Sequence, residues 1–210
     1  MIYTITRYVI ALLLGIVIRN KLKQKQKPIA KITVAMYVLL LMVISTITFF
    51  LPVENLFLTF PTPEKAAAYY LIGEITGIAE GKNSCLVLYG DSSSSIIPKT
   101  DNGYKIGTPF NITNIKTSTY YSELSSNQAI SALARAKGTD DYYIAGVLMM
   151  DLDELEKNNF SISDSNSSEF EYTIDNIVSV NTKTINFHAF VGKISEDYCV
   201  YLNGEVIFEL

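Results

Sequence analysis

No aspartate or glutamate occurs in the first 53 of the 210 residues, and the whole chain holds one histidine and two cysteines. Each scarcity closes off a chemistry. A lone histidine, His188, excludes zinc sites built on histidine pairs. Two cysteines, Cys85 and Cys199, allow at most one disulfide. The chain has no Gly-x-Ser-x-Gly, no phosphate-binding glycine loop and no Ser-x-x-Lys. Ser92–Ser95 with Lys99 comes nearest to the last, but Ile96 stands where the nucleophile belongs.

The missing acids divide the chain in two. Residues 1–53 carry seven basic residues, Arg7, Arg19, Lys21, Lys23, Lys25, Lys27 and Lys31, and no acid. Residues 54–210 hold all 21 acids and the other ten basic residues, a net charge of 10 − 21 = −11. A shift of this size marks a boundary near Pro52. The acidity of the second part serves solubility and argues against nucleic acid as a partner, because phosphate binding needs clustered Lys and Arg.

From Ile32 to Val53 there are 22 residues without a formal charge, including Val38-Leu39-Leu40-Leu41-Met42-Val43-Ile44. At about 1.5 Å per residue, a helix over about 32–51 reaches the roughly 30 Å of a bilayer core. A second apolar helix is expected over about 2–18. Arg7 interrupts it, and near the outer end its guanidinium would snorkel to the interface beside Tyr3 and Tyr8. Ala11 and Gly15 have the spacing that lets helices approach closely. A cleaved signal peptide is disfavoured, since Arg19-Asn20-Lys21 follows the apolar run in place of a small-residue cleavage site. The loop 19–31, with Arg19, Lys21, Lys23, Lys25, Lys27 and Lys31, marks the cytoplasmic side. Residues 1–53 are therefore expected to be a transmembrane hairpin, with the lipid bilayer of the plasma membrane as partner. Residues 54–210 are then placed outside the cytoplasm.

The outer part reads as α+β, a β-rich and mainly antiparallel domain with one or two short helices. Thr62 as N-cap, Pro63 at the first helical position and Glu64 in the first turn open a helix that Gly73 closes. Strands are expected at Glu74–Ala79, Ser84–Tyr89, Ser94–Ile97 and Tyr104–Ile106, separated by Gly- and Asn-containing turns. Another is expected at Asn111–Tyr121. Ser126–Ala136 has helical composition, with Ile130, Leu133 and Ala134 on one face and Gly138 as C-cap. Tyr142–Met150 reads as a central strand, Asp151–Asn159 as an acidic helical turn, and Ser161–Ser168 as a polar loop. Phe170–Val180 and Thr184–Ile194 read as strands, and Asn203-Gly204 joins a final hairpin.

Candidate chemistry is sparse. Outside the cytoplasm a Cys85–Cys199 disulfide is allowed, and two separate buried thiols are the alternative. His188 shares a strand face with Asn186 and Phe190, the setting of a structural histidine. Asp151, Asp153, Glu154 and Glu156 form an acidic cluster, most simply a solvated face. Asp164, Asn166, Ser168 and Asp175 fall at calcium-loop positions, but Glu169 replaces the glycine that such a loop needs. No motif requires a cofactor.

Thr62-Pro63-Glu64-Lys65-Ala66, Ile96-Ile97-Pro98-Lys99-Thr100-Asp101-Asn102-Gly103-Tyr104-Lys105, Ser163–Phe170 and Leu202-Asn203-Gly204-Glu205 together resemble small membrane-anchored exported proteins of low-GC Gram-positive bacteria. The resemblance implies a compartment and a domain outline, and no functional residues. The expected function is a non-catalytic extracytoplasmic module that binds or senses, or that supports another membrane or cell-surface protein. Two alternatives are a wall-directed hydrolase using carboxylates from Asp151–Glu156 and a regulatory subunit signalling through the hairpin.

Overall fold

A computed structural model describes the main chain of all residues except 1, 24–30, 91–92, 123–126, 152–159 and 180–181. Two long helices, α1 (Ile2–Lys23) and α2 (Lys31–Phe50), precede an α+β domain whose sheets are antiparallel. A short 3-10 turn, Val53–Leu56, leads to helix α3 (Pro63–Tyr70). Thr62 caps α3 through its side chain, which accepts from the Lys65 amide, and Pro63 occupies its first turn, as the sequence predicts. The helix closes at Tyr70, short of Gly73.

The strands form three sheets. The first is β1 (Ile75–Glu80), β2 (Ser84–Tyr89), β3 (Ser93–Thr100) and β4 (Gly103–Tyr104), a meander in chain order. The second comprises β5 (Ile112–Tyr121), β6 (Gln128–Ala136), β7 (Tyr142–Asp151), β9 (Glu171–Ser179) and β10 (Thr182–Phe190). Its order is β5-β6-β7-β10-β9, so the apolar β7 run is central, as its composition implies. The third sheet joins β8 (Ile162–Asp164), β11 (Cys199–Leu202) and β12 (Glu205–Glu209). In the β11–β12 hairpin both turn residues adopt positive φ, Asn203 at 50° and Gly204 at 90°, the backbone that Asn-Gly tolerates best.

Strand alternation stacks these elements into layers. Cys85 and Val87 of β2 face α3, where Ala66, Ala67, Ile97 and Tyr104 complete a core. Leu86 points the other way and meets Tyr143, Ala136 and Ile96 between the first and second sheets. On the far face of the second sheet, Ile144, Leu148, Ile185 and Phe187 pack with Tyr198, Val200, Leu202 and Phe208 of the third-sheet region. The second sheet is thus buried on both faces.

Four expectations need correction. Ser126–Ala136 is strand, not helix: β6 lies between β5 and β7 and pairs with both along its length. Pairing on both edges overrides the helical preference of its alanines, a weak prior wherever tertiary contacts compete. Gly138, expected to cap a helix, lies in the β6–β7 turn. The polar segment 161–168 contributes β8. Helix α1 continues to Lys23, so Arg19, Lys21 and Lys23 stand on its last turns and not in a loop; no Pro or Gly interrupts the chain there. Nothing lies within 4 Å of a Cβ placed on Gly15, so Gly15 itself makes no close contact with α2. The acidic stretch Asp151–Asn159 falls outside the described residues apart from the Asp151 main chain. Side chains of α2 are described for residues 34–47 and Phe50, and among the described residues no helix is long and apolar enough to cross a membrane.

Two polar joints hold the layers. Arg7 of α1 and Glu54 are both buried, at 5% and 3% exposure, and pair directly. The Arg7 guanidinium also stacks 4.5 Å from the Tyr3 ring and donates to the Leu51 carbonyl at 3.5 Å. Tyr3 in turn meets Tyr69 of α3 edge to face at 6.2 Å. The second joint is Asp141, 1% exposed, in the turn before β7. Its carboxylate accepts from the Asn83 amide at 2.7 Å and from the Ser84 hydroxyl at 2.8 Å, and Ser84 shares a 2.7 Å hydrogen bond with Tyr143. It ties the β1–β2 turn of the first sheet to the second. Asp141→Ala leaves these buried donors without an acceptor and is expected to cost about 2–4 kcal/mol, with Asp141→Asn costing less. Urea unfolding of the full chain followed by tyrosine fluorescence checks this. A loss below about 0.5 kcal/mol, the size of a surface change, would show that the joint carries no weight.

Candidate functional site

Along β10 the side chains alternate. Ile185, Phe187 and Ala189 enter the core shared with the third sheet, so Asn186, His188 and Phe190 face the first sheet, as the strand period predicts. His188 pairs across the strands with Ala145 on β7 and Glu171 on β9. Over its ring runs β1. A Cβ on Gly77 would stand 2.4 Å from His188 Cε1 and 2.8 Å from Nδ1, so only glycine lets β1 lie against the imidazole. Strands β1 and β9 are both sheet edges, and the cleft between them is lined on β10 by His188, Ala189 and Phe190.

That cleft encloses about 360 Å³ and is lined by Ile78, Ala79, Glu80, Glu169, Glu171 and Phe190 beside His188. Three carboxylates give it a negative character. Glu80 is the most engaged of them: Lys99 donates to its Oε1 at 2.6 Å and the Tyr104 hydroxyl also donates there. These two bonds hold the Glu80 carboxyl below its usual range. Glu171 is 74% exposed on its side chain, and its Oε2 stands 3.7 Å from His188 Nε2, beyond hydrogen-bond reach. His188 itself is 3% exposed. Burial lowers its pKa, with Glu171 and the Ile78 main chain pulling weakly the other way. Neither ring nitrogen makes a hydrogen bond of normal geometry. The imidazole is therefore neutral near pH 7 and holds an unused acceptor at the base of an acidic cleft.

The other expected sites are placed differently. Cys85 and Cys199 are free thiols in the first and third sheets, with no disulfide between them. Cys85 is fully buried, and desolvation pushes its thiol up to about 12, which makes it unreactive. Of the calcium-like set, Asp164 is 8% exposed and spends its carboxylate on protein donors. These are the Asn166 amide at 3.1 Å, the Ser168 amide at 2.8 Å, the Ser168 hydroxyl at 2.6 Å and the Tyr198 hydroxyl at 3.0 Å. The spacing that suggests a calcium loop instead pins a turn to the core through Tyr198. The Asp175 side chain lies outside the described residues. Among the described residues no group of three or more His, Cys, Asp or Glu is placed to hold a metal ion. Ser95 shares a 2.7 Å hydrogen bond with the Tyr70 hydroxyl, which burial pushes up to about 12. With Lys99 on Glu80, the serine run has no nucleophile–base pair among the described residues. Asp153, Glu154 and Glu156, with Lys25 and Lys27 of the basic segment, lie outside the described residues.

The sequence reading missed Gly77 and the three glutamates as neighbours of His188. Only the Glu171–His188 pairing carried a usable signal: β9 and β10 follow one another in sequence and pair antiparallel, which places the two residues opposite each other.

An imidazole buried in its neutral form lowers stability in acid. Above its ordinary pKa of about 6.5, His188 is neutral in both folded and unfolded chains and contributes no slope. Below it the unfolded chain takes up a proton that the folded one accepts only at lower pH, so stability falls as pH falls. Glu80, Glu169 and Glu171 face the ring and limit the fall. The His188 share of the slope is expected to stay below one proton, about 1.4 kcal/mol per pH unit, and to vanish in His188→Asn. Urea unfolding at a series of pH values between 7 and 5 measures it, and an unchanged slope in the variant would refute a neutral buried imidazole. No family model matches this chain, and neither does any curated protein or solved structure.

Proposed function

We propose that this chain is a membrane-anchored extracytoplasmic binding module, with α1 and α2 as its anchor and the β1–β10 cleft as its binding surface. The observation that carries the anchor is exposed apolar surface. Leu12 and Leu13 are 65% and 56% exposed, and Leu39, Leu40 and Met42 are 63%, 50% and 59% exposed. Neighbouring helix positions point about 100° apart, so these side chains spread apolar surface over a broad arc of each helix, the pattern of a helix solvated by lipid. Helix α2 has 20 residues, about 30 Å of length, and the uncharged sequence from Ile32 to Val53 extends past it.

Orientation follows from charge. The basic residues on the last turns of α1 and before α2 favour the cytoplasmic side, which would put the Arg7–Glu54 pair at the opposite interface and the acidic domain beyond it. The lipid bilayer is then the first partner, and a cell-surface or membrane protein is the kind of second partner that an acidic outer cleft serves. A second reading, a regulatory subunit signalling through the hairpin, draws on the same joint: Arg7–Glu54 and Tyr3–Tyr69 link α1 directly to the domain.

Site-directed labelling on intact cells tests the placement. In a Cys199→Ala background, where the remaining Cys85 is buried, Lys137→Cys is expected to react with a membrane-impermeant maleimide without permeabilisation. Lys25→Cys is expected to react only after it. The reverse pattern, or labelling of both without permeabilisation, would overturn the proposed topology.

A further inference from the structure

Among the described residues that line the acidic cleft, His188 is the buried polar side chain, 3% exposed. Buried polar groups in folded proteins are almost always hydrogen-bonded, so a buried ring acceptor that no protein donor meets calls for an account. Its position supplies one. The ring is part of the lining of a cavity of about 360 Å³, together with Glu169, Glu171, Ile78, Ala79 and Phe190. A group that completes this site must donate a hydrogen bond to a buried acceptor and carry positive charge toward exposed carboxylates. It must also reach inward past apolar walls.

We infer that the His188 cleft binds the ammonium end of an alkylamine, either a free amine or a lysine side chain. The imidazole accepts a hydrogen bond from the ammonium, Glu171 and Glu169 supply the opposing charge, and the methylene stem lies along Ile78, Ala79 and Phe190. Anions are excluded by the three carboxylates that line the cleft. A divalent metal lacks a third ligand among the described residues. An uncharged donor leaves Glu169 and Glu171 unused. The inference rests on the binding-module reading and gives it a ligand class, and it is independent of the membrane placement.

The single histidine makes the test direct, because its ring yields one unambiguous NMR signal in the full chain. The chain, purified in detergent with labelled histidine, is titrated at neutral pH with n-butylammonium, with a trilysine peptide and with acetate. A saturable shift of the His188 ring signal with either amine, and none with acetate, is expected. Glu171→Gln, on a side chain that is 74% exposed, is expected to weaken binding by about tenfold or more. Response to trilysine but not butylammonium assigns the site to lysine side chains, and the converse assigns it to small amines. No saturable His188 shift with either amine would overturn the inference, as would an equal response to acetate or unchanged affinity in Glu171→Gln. Saturable shifts confined to other signals would also overturn it while leaving a binding module in place.

Discussion

The buried pairing of Arg7 with Glu54 is the constraint on which the arrangement of this protein turns. Arg7 is the only charge in the first 18 residues, and Glu54 is the first acid in the chain. Each is expensive to bury alone, and each is buried. Arg7 is further held by the Tyr3 ring and the Leu51 carbonyl, so the first helix, the end of the second and the start of the domain meet at one point. Through Tyr3 and Tyr69 the same point reaches α3, and α3 covers the first sheet. The geometry of everything beyond Glu54 relative to the two long helices depends on this contact.

Farther out, the order is set by strand alternation and one carboxylate. Cys85 and Val87 against Leu86 give the first sheet two buried faces, and the second sheet repeats the device with Tyr143 against Ile144. Apolar packing of this kind is tolerant of sliding, whereas Asp141 is not: it accepts from Asn83 and Ser84 at fixed positions on the neighbouring sheet. With the sheets so registered, β1 passes over His188 where Gly77 makes room. The cleft lies beside that crossing, lined by Ile78, Ala79 and Glu80 of β1 and by His188 and Phe190 of β10.

Much of the fold was legible because it rests on local signals. The Thr62-Pro63 helix start, the Asn203-Gly204 hairpin and the central β7 run each have a short-range physical cause, and each is found in place. The helix expected at Ser126–Ala136 failed for the opposite reason. Alanine-rich composition favours a helix only where nothing competes, and β5 and β7 compete on both sides of β6. The candidate site was barely legible. His188 was visible as a face-sharing strand residue, but Gly77 and Glu80 come from a strand about 110 residues earlier, and only sheet packing brings them together. Asp164 shows the complementary error: a spacing that suits calcium also suits a turn whose carboxylate is consumed by amides and hydroxyls.

The two long helices and the β domain form one mechanical unit fastened at Arg7 and Glu54. A double-mutant cycle on the full chain in lipid bilayers, using Arg7→Met and Glu54→Gln with thermal unfolding of the β domain as readout, tests it most directly. Each single variant leaves one charge buried and unpaired and is expected to destabilise the domain by about 3 kcal/mol, while the double variant recovers at least about 1 kcal/mol of the summed loss. Losses that simply add, with no coupling between the two positions, would contradict the claim.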